Sequence, residues 1–405
     1  MPEDDDCEFL RQELMSGRRD LPRAGGVVAG PSALLPYRVV DAAGGEVEPV
    51  SRYLRDRVLG DVSPLTCRSY AHDLLRWFRL LWVLEVPWDQ ASEAETAVLA
   101  GWLRHAANPQ RRRRRPGAPT AGAVNVVTGK PEPGPGYAPS AIAHTLTVVS
   151  GFYGFHLHFG RGPVVNPVPE SSSRRKALAH RSPLLEAQPY RRARLRPRRV
   201  ARVVRSIPDG LFDDLFACMR NDRDRALLAF YVSSGARASE LLGLGVEDID
   251  WAAKTIYVIS KGSRCRQPVP ASADAFVFLA GYLDKAGRPA AGSPVWRTLR
   301  GKPRPLSYWA MRQILERANE QLGTNWTLHD LRHTTAARLA ADPDITLVEV
   351  QTIMRHAHLT TTGLYTPPRL DDLLDKLAAH YARPPVPPVW TPGYAPEDVR
   401  TVFGG

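Results

Sequence analysis

The amino-acid sequence predicts a mainly α-helical protein with a small β-sheet, arranged as a helical N-terminal domain followed by a mixed α/β C-terminal domain. The chain has 405 residues, which is more than one typical compact domain contains. Apolar residues recur at helical spacing in two stretches of the first half. In the second half, a β-branched run followed by turn residues indicates a β-hairpin among further helices.

The N-terminal domain is predicted from helix signals within residues 46–165. Ser63-Pro64 matches a helix N-cap followed by proline at the first helical position. The helix that follows has an apolar face formed by Tyr70, Leu74, Trp77, Phe78 and Leu81. After a Gly/Pro-rich interruption, a second helical face consists of Ile142, Leu146, Val149, Phe152 and Tyr153. Residues 1–45 are rich in Gly and Pro and have no clear period, so we expect an arm of uncertain order.

The C-terminal domain is predicted over residues 199–383, and a Pro-rich tail over 384–405. Its first elements are a helix at 226–232, a strand at Thr255–Ile259, a turn at Lys261-Gly262 and a second strand near 268–270. Helical patterns dominate after residue 305.

The charge balance points to a polyanionic partner. The formal net charge is +12 and the sequence pI is near 9.8. Nucleic acid is the usual partner of such a protein, although a merely basic soluble protein is the alternative. The four cysteines are far apart and form no CxxC pair, which argues against a zinc knuckle or a disulfide framework. With an acidic start and no apolar stretch long enough to span a bilayer, we expect a cytoplasmic protein without a membrane partner.

Two arginine-rich runs are candidate DNA-binding segments. One is Arg111, Arg112 and Arg113 in the Gly/Pro-rich interruption, and the other is Arg191, Arg192, Arg194 and Arg196 in a predicted basic linker, residues 166–198. A charge run is commonly a solvated, disordered segment. The functional interpretation is that these arginines follow a DNA backbone, and both interpretations remain open.

Four short segments carry residues suited to phosphate chemistry. The candidate residues, in chain order, are Arg237, Glu240, Lys261, His329, Arg332, His356 and Tyr365. Each segment alone has an ordinary structural interpretation, such as a helix-surface Arg–Glu pair or a solvated turn lysine. Thr327 and Asp330 have the spacing of a capping box, so a helix begins there and places His329 and Arg332 on one face.

The order and spacing of these residues resemble the tyrosine recombinase (phage integrase) family. That family has an Arg in a GxRxSEL-like segment, a Lys on a β-hairpin, an HxxR motif, and a His or Trp nine residues before a nucleophilic Tyr. Here His356 lies nine residues before Tyr365. The resemblance covers residues 199–383, and residues 46–165 resemble the family's core-binding domain. One departure is Arg355, which stands where the family usually has Gly and leaves open a changed backbone or an added DNA contact.

The resemblance implies cleavage and rejoining of DNA strands through a covalent 3′-phosphotyrosyl intermediate, without ATP, metal or cofactor. Tyr365 would be the nucleophile, and Arg237 and Arg332 would stabilise the charged phosphate oxygens. The remaining implied roles are His329 as base, Lys261 as acid on the leaving 5′-hydroxyl, His356 as a phosphate hydrogen-bond donor and Glu240 as an orienting residue. The implied partners are double-stranded DNA and further copies of the chain, as a tetramer on two DNA sites.

Rival interpretations come from different classes of protein. A type IB topoisomerase uses related chemistry, and a catalytically silent regulator would bind DNA without needing Tyr365. A metal-dependent transposase is a weaker alternative. His333 and His358 suggest zinc ligands by spacing, but no clustered Cys or third matched ligand accompanies them.

Overall fold

The computed structural model describes residues 2–109, 120–170, 193–198, 206–260, 265–355 and 382. The chain divides into two compact units, Met1–Arg202 and Val203–Gly405. Each unit has its own hydrophobic core. Within the ranges just given, no helix has the length and apolar character needed to cross a membrane.

The first unit consists of five described helices and a β-hairpin. The helices are α1 (Pro2–Met15), α2 (Glu48–Leu59), α3 (Pro64–Val83), α4 (Glu93–His105) and α5 (Pro139–His158). The hairpin pairs β1 (Gly26–Ser32) with β2 (Leu35–Val40) in antiparallel fashion, and a 3-10 turn covers Trp88–Gln90.

The two predicted helices of this unit, α3 and α5, form its centre. Ser63 caps α3 by accepting a hydrogen bond from the backbone N–H of Thr66 at 3.3 Å, and Pro64 follows it, as predicted. A chain of hydrogen bonds joins the two helices and the 3-10 turn: the Trp77 indole N–H donates to the Tyr153 hydroxyl at 3.0 Å, and this hydroxyl donates to the Trp88 carbonyl at 2.8 Å.

The N-terminal segment differs from the expected arm, because it packs into the first unit. Leu14 of α1 and Leu35 of β2 are buried in the core, and Arg11 forms an ion pair with the buried Glu95 at 2.5 Å. The local sequence signal of the hairpin is weak because burial along β1 and β2 does not alternate strictly between neighbouring residues. Contacts with α4, which are distant in sequence, determine the place of α1.

The second unit contains seven described helices and a three-stranded sheet. The helices are α6 (Asp209–Ala217), α7 (Asp222–Ser234), α8 (Ala238–Leu242), α9 (Ala273–Ala286), α10 (Tyr308–Leu322), α11 (Leu328–Ala341) and α12 (Leu347–Met354). The sheet has the antiparallel order β3 (Ile249–Asp250), β4 (Thr255–Ile259) and β5 (Arg266–Pro270). The mainly helical class with a small sheet is therefore confirmed.

The predicted β-hairpin is present as β4 and β5. Thr255 pairs with Pro270 and Ile259 with Arg266, so β5 begins before the predicted range. Ile256 and Val258 are buried on the core face of β4. The prolines of β5 are compatible with pairing because β5 is an edge strand of the described sheet.

Helix α11, which carries Arg332, is hydrogen-bonded to α7. The hydroxyl of Thr335 on α11 donates to the Val232 carbonyl on α7 at 2.7 Å. The neighbouring Thr334 hydroxyl accepts from the Ile207 backbone N–H at 2.8 Å. Both threonines are buried, so these bonds form out of contact with water.

Removal of the Tyr153 hydroxyl should destabilise the first unit. Tyr153→Phe leaves the Trp77 indole N–H and the Trp88 carbonyl without their shared partner, which costs about 1–3 kcal/mol for buried groups. Urea unfolding of the full chain, followed by tryptophan fluorescence, measures the loss. The partly exposed Tyr70 provides the control, since Tyr70→Phe should change the midpoint little. Equal midpoints for the two variants would contradict the proposed role of the hydrogen-bond chain.

Candidate active site

The site is built around the end of α7, where Gly235 turns the chain. Gly235 has φ 57° and ψ 21°, the left-handed conformation that glycine adopts without penalty. A Cβ at this position would lie 2.7 Å from the Met354 sulfur and 3.2 Å from the Thr335 Cγ2. Glycine is therefore favoured by the backbone conformation, and its missing Cβ allows the close approach of α11 and α12.

Arg237 and Glu240 form a helix cap rather than an ordinary surface pair. Arg237 is the N-cap of α8, and its backbone N–H donates to Glu240 Oε2 at 2.8 Å. Its guanidinium Nη1 donates to Glu240 Oε1 at 2.7 Å. The Glu240 side chain is 1% exposed, whereas that of Arg237 is 30% exposed. The guanidinium of Arg237 is thus partly accessible to solvent, while the Glu240 carboxylate that holds it is buried.

Arg332, on α11, joins the segments at the back of the site. Its guanidinium donates to the carbonyl of Gly235 and to the carbonyl of Met354. The residue is 5% exposed. Burial, and then the charges of Arg237 and Arg355, lower the pKa of Arg332 to about 10. The side chain therefore remains protonated at neutral pH.

Arg355 occupies the C-cap of α12 with φ 51° and ψ 48°. The left-handed conformation costs a non-glycine residue roughly 1–2 kcal/mol. Its guanidinium Nη2 donates to Glu240 Oε2 at 3.0 Å and to the Gly235 carbonyl at 3.3 Å, and Nη1 donates to the Ile353 carbonyl at 2.9 Å. The side chain is only 7% exposed. The sequence left open an outward DNA contact at this position, and the inward direction of the side chain argues against it.

These four residues, Arg237, Glu240, Arg332 and Arg355, are called the arginine cluster below. Burial raises the pKa of Glu240, but the backbone hydrogen bond from Arg237 and the charge of Arg355 outweigh this effect, so the net pKa is lowered. Burial and the charge of Arg237 lower the pKa of Arg355 despite its bond to Glu240. Three cations surrounding one anion leave an excess of positive charge, which favours an anionic ligand over a metal ion.

His329 lies one helical turn before Arg332, at the start of α11. The predicted capping box is present: Thr327 N–H donates to Asp330 Oδ2 at 2.7 Å, and Asp330 N–H donates to the Thr327 hydroxyl at 3.4 Å. His329 is exposed, and its ring centroid is 4.1 Å from that of His333. The structure therefore places His329 on the helix that carries Arg332, at an accessible end.

Three predicted site residues, Lys261, His356 and Tyr365, lie outside the described residues. Lys261 belongs to the connection between β4 and β5, and His356 directly follows Arg355 in the chain. Their roles remain predictions.

The candidate DNA-binding arginines are described only in part. The five outside the described ranges are Arg111, Arg112, Arg113, Arg191 and Arg192. Arg194 is 71% exposed and forms an ion pair with Glu93, and Arg196 Nη1 donates to the Thr147 hydroxyl at 2.9 Å. This portion of the predicted linker thus contacts α4 and α5 of the first unit.

The second unit is mainly helical with a three-stranded sheet, and its arginine cluster carries an excess of positive charge of the kind that suits an oxyanion. A family model described as the phage integrase family matches residues 213–370. The chain is 30% identical to tyrosine recombinase XerC of Azotobacter vinelandii over 236 residues, covering 57% of this chain and 70% of that protein. It belongs to the phage integrase, or tyrosine recombinase, family.

A second relative in sequence and one solved structure are also similar to this chain. Tyrosine recombinase XerC of Pelobacter propionicus is 34% identical over 155 residues, which cover 38% of this chain and 50% of that protein. The crystal structure of XerH site-specific recombinase bound to palindromic difH substrate matches with a TM-score of 0.52 at 15% identity. The match covers 93% of this chain and 94% of that one, and at this identity it shows a shared fold.

Gly235 should tolerate alanine less well than a second glycine of similar conformation. Gly323, at the end of α10, has φ 65°, but a Cβ there would meet nothing within 4 Å. Gly323→Ala should therefore lose only the left-handed preference, roughly 1–2 kcal/mol. Gly235→Ala adds a clash with Met354 and Thr335, costing about 1–3 kcal/mol more. Denaturant unfolding of both variants measures the difference, and equal losses would show that close packing at Gly235 is unimportant.

Proposed function

We propose that this chain is a site-specific DNA recombinase that cleaves and rejoins DNA strands through a covalent 3′-phosphotyrosyl link to Tyr365. The observation that carries the proposal is the arginine cluster, which three separate segments of the second unit assemble around one buried carboxylate. Membership of the tyrosine recombinase family supports the same reaction.

The arginine cluster suits the charge that develops in phosphoryl transfer. As the bond order at phosphorus changes, negative charge accumulates on the non-bridging oxygens, and fixed cationic donors lower the barrier. Arg237 is the most accessible member of the cluster and is the one we assign to direct contact with the phosphate. Arg332 contributes its charge from a buried position, where water screens it weakly.

The proton transfers are assigned to residues outside the cluster. A tyrosine phenol has an ordinary pKa of about 10, so Tyr365 needs a base or a strong positive potential to attack. We assign the base role to His329, which lies at the exposed start of α11. Lys261 would donate a proton to the leaving 5′-oxygen, and His356 would donate a hydrogen bond to the phosphate.

The reaction so defined conserves the energy of the broken phosphodiester bond in the phosphotyrosyl link. Attack by a 5′-hydroxyl then reverses the first step, so rejoining requires neither ATP nor a cofactor. The proposed partners are double-stranded DNA and further copies of this chain, as a tetramer on two DNA sites. Relatives named as XerC recombinases favour recombination over topoisomerase activity. Strand exchange between two sites, measured directly, separates the two activities.

Tyr365→Phe should bind DNA normally and form no covalent complex, because the substitution removes only the attacking oxygen. A nicked suicide substrate traps the wild-type intermediate, which an SDS gel then resolves as a shifted band. Electrophoretic mobility in the absence of SDS measures binding. A covalent band from Tyr365→Phe would assign the nucleophile to another residue.

Lys261 can be tested as the acid with a substrate whose bridging 5′-oxygen is replaced by sulfur. A thiolate departs without a proton, so Lys261→Ala should cleave normal DNA slowly and recover much of its rate on the sulfur substrate. Arg332→Ala should not recover, because its defect concerns the non-bridging oxygens.

Lys254 provides the comparison lysine for this experiment. Its ammonium donates to the Trp251 carbonyl at 3.0 Å and lies 5.7 Å from the centroid of the Phe276 ring. Lys254→Ala should therefore cleave both substrates at similar rates. A selective rescue of Lys254→Ala would transfer the acid role to that residue, and an unrescued Lys261→Ala would limit Lys261 to binding or shaping the hairpin.

A further inference from the structure

Arg355 is unusual among the residues whose backbone is left-handed. Within the part of the chain that the structure describes, the non-glycine residues with positive φ are Asp61, Glu85, Lys254 and Arg355. The first three are exposed, whereas the Arg355 side chain is 7% exposed and directed into the arginine cluster. A C-cap in this conformation normally favours glycine. The arginine here is therefore best explained by what its side chain contacts.

The side chains of Arg355 and Arg237 both donate hydrogen bonds to the Glu240 carboxylate. Arg355 Nη2 and the Arg237 backbone N–H bind Oε2, at 3.0 Å and 2.8 Å, and Arg237 Nη1 binds Oε1 at 2.7 Å. Without Arg355, the buried carboxylate would lose its second cation. Its full negative charge would then act on Arg237, the exposed member of the cluster.

We propose that Arg355 is a positioning residue, which neutralises and orients Glu240 so that an unpaired carboxylate does not offset the positive potential around Arg237 and its guanidinium keeps its direction for the phosphate. The inference rests on the proposed function, because it concerns the same site. It assigns Arg355 no contact with DNA, in keeping with its burial and its three hydrogen bonds to protein oxygens. The direct contact with the phosphate is left to Arg237.

Two other roles for Arg355 give different results on substitution. If the residue served only as a helix cap, Arg355→Gly would relieve the left-handed conformation and leave cleavage unchanged. If Arg355 bound a DNA phosphate, the same change would weaken binding and reduce the slope of log K against log salt by about 1. The positioning role predicts slower cleavage with unchanged affinity and salt slope.

The test compares the full-length wild type with Arg355→Gly, Arg355→Lys, Glu240→Gln and the double variant Arg355→Gly/Glu240→Gln on the nicked suicide substrate. We expect Arg355→Gly to slow covalent cleavage by about tenfold, which is less than the roughly hundredfold or greater loss that removal of a direct transition-state donor causes. Arg355→Lys, which keeps the charge, should recover part of the rate.

The double variant decides whether Arg355 acts through Glu240. The double variant lacks both Arg355 and the carboxylate charge. It should therefore cleave faster than expected if the fold-changes of the two single variants multiplied. Glu85→Gly is the control for glycine at an exposed left-handed position and should cleave at the wild-type rate. Far-UV circular dichroism establishes that each variant is folded, and if Arg355→Gly is not, Arg355→Lys with Glu240→Gln carries the same comparison.

Three results would overturn the inference: wild-type cleavage by Arg355→Gly, a reduced salt slope, or single effects that simply multiply in the double variant. Failure of the wild type to form the covalent complex would instead contradict the proposed function. Covalent cleavage by the wild type therefore tests the proposed function, and cleavage by the variants tests the role of Arg355.

Discussion

The geometry of the arginine cluster depends on one constraint, which is the sharing of the buried Glu240 carboxylate between two arginines. A buried carboxylate is stable as an anion only when it is paired and hydrogen-bonded. Arg237 supplies a backbone and a side-chain donor, and Arg355 supplies the second cation. Because each guanidinium holds a different oxygen, the carboxylate cannot rotate freely, and the direction of Arg237 is determined with it.

The backbone around Gly235 makes this sharing possible. Its carbonyl accepts from both Arg332 and Arg355, so one peptide group connects α11 and the end of α12 to the turn after α7. The missing Cβ lets Met354 and Thr335 approach closely. Packing thus determines the position of the cluster, and the hydrogen bond from the buried Thr335 hydroxyl to the Val232 carbonyl connects α11 to α7. Helix packing and backbone carbonyl groups therefore determine the position of the arginine cluster.

Electrostatic repulsion within the cluster is a cost that an anionic ligand would offset. Burial and the charges of Arg237 and Arg355 lower the pKa of Arg332, whereas for Arg355 burial lowers the pKa and the charge of Glu240 acts against it. A bound phosphate would reduce this repulsion, so ligand binding and stability are linked at this site. The same excess charge that costs stability is what a pentacoordinate phosphate requires.

The sequence alone determined the features that depend on local patterns. The faces of α3 and α5, strand β4 and the capping box before α11 follow from short-range periodicity and hydrogen bonding, and the family followed from the joint spacing of the site residues. Tertiary structure decided the packing of residues expected to form an arm and the inward direction of Arg355. Neither has a local signal, because Leu14 is buried by contacts distant in sequence and Arg355 is directed inward by a carboxylate 115 residues away.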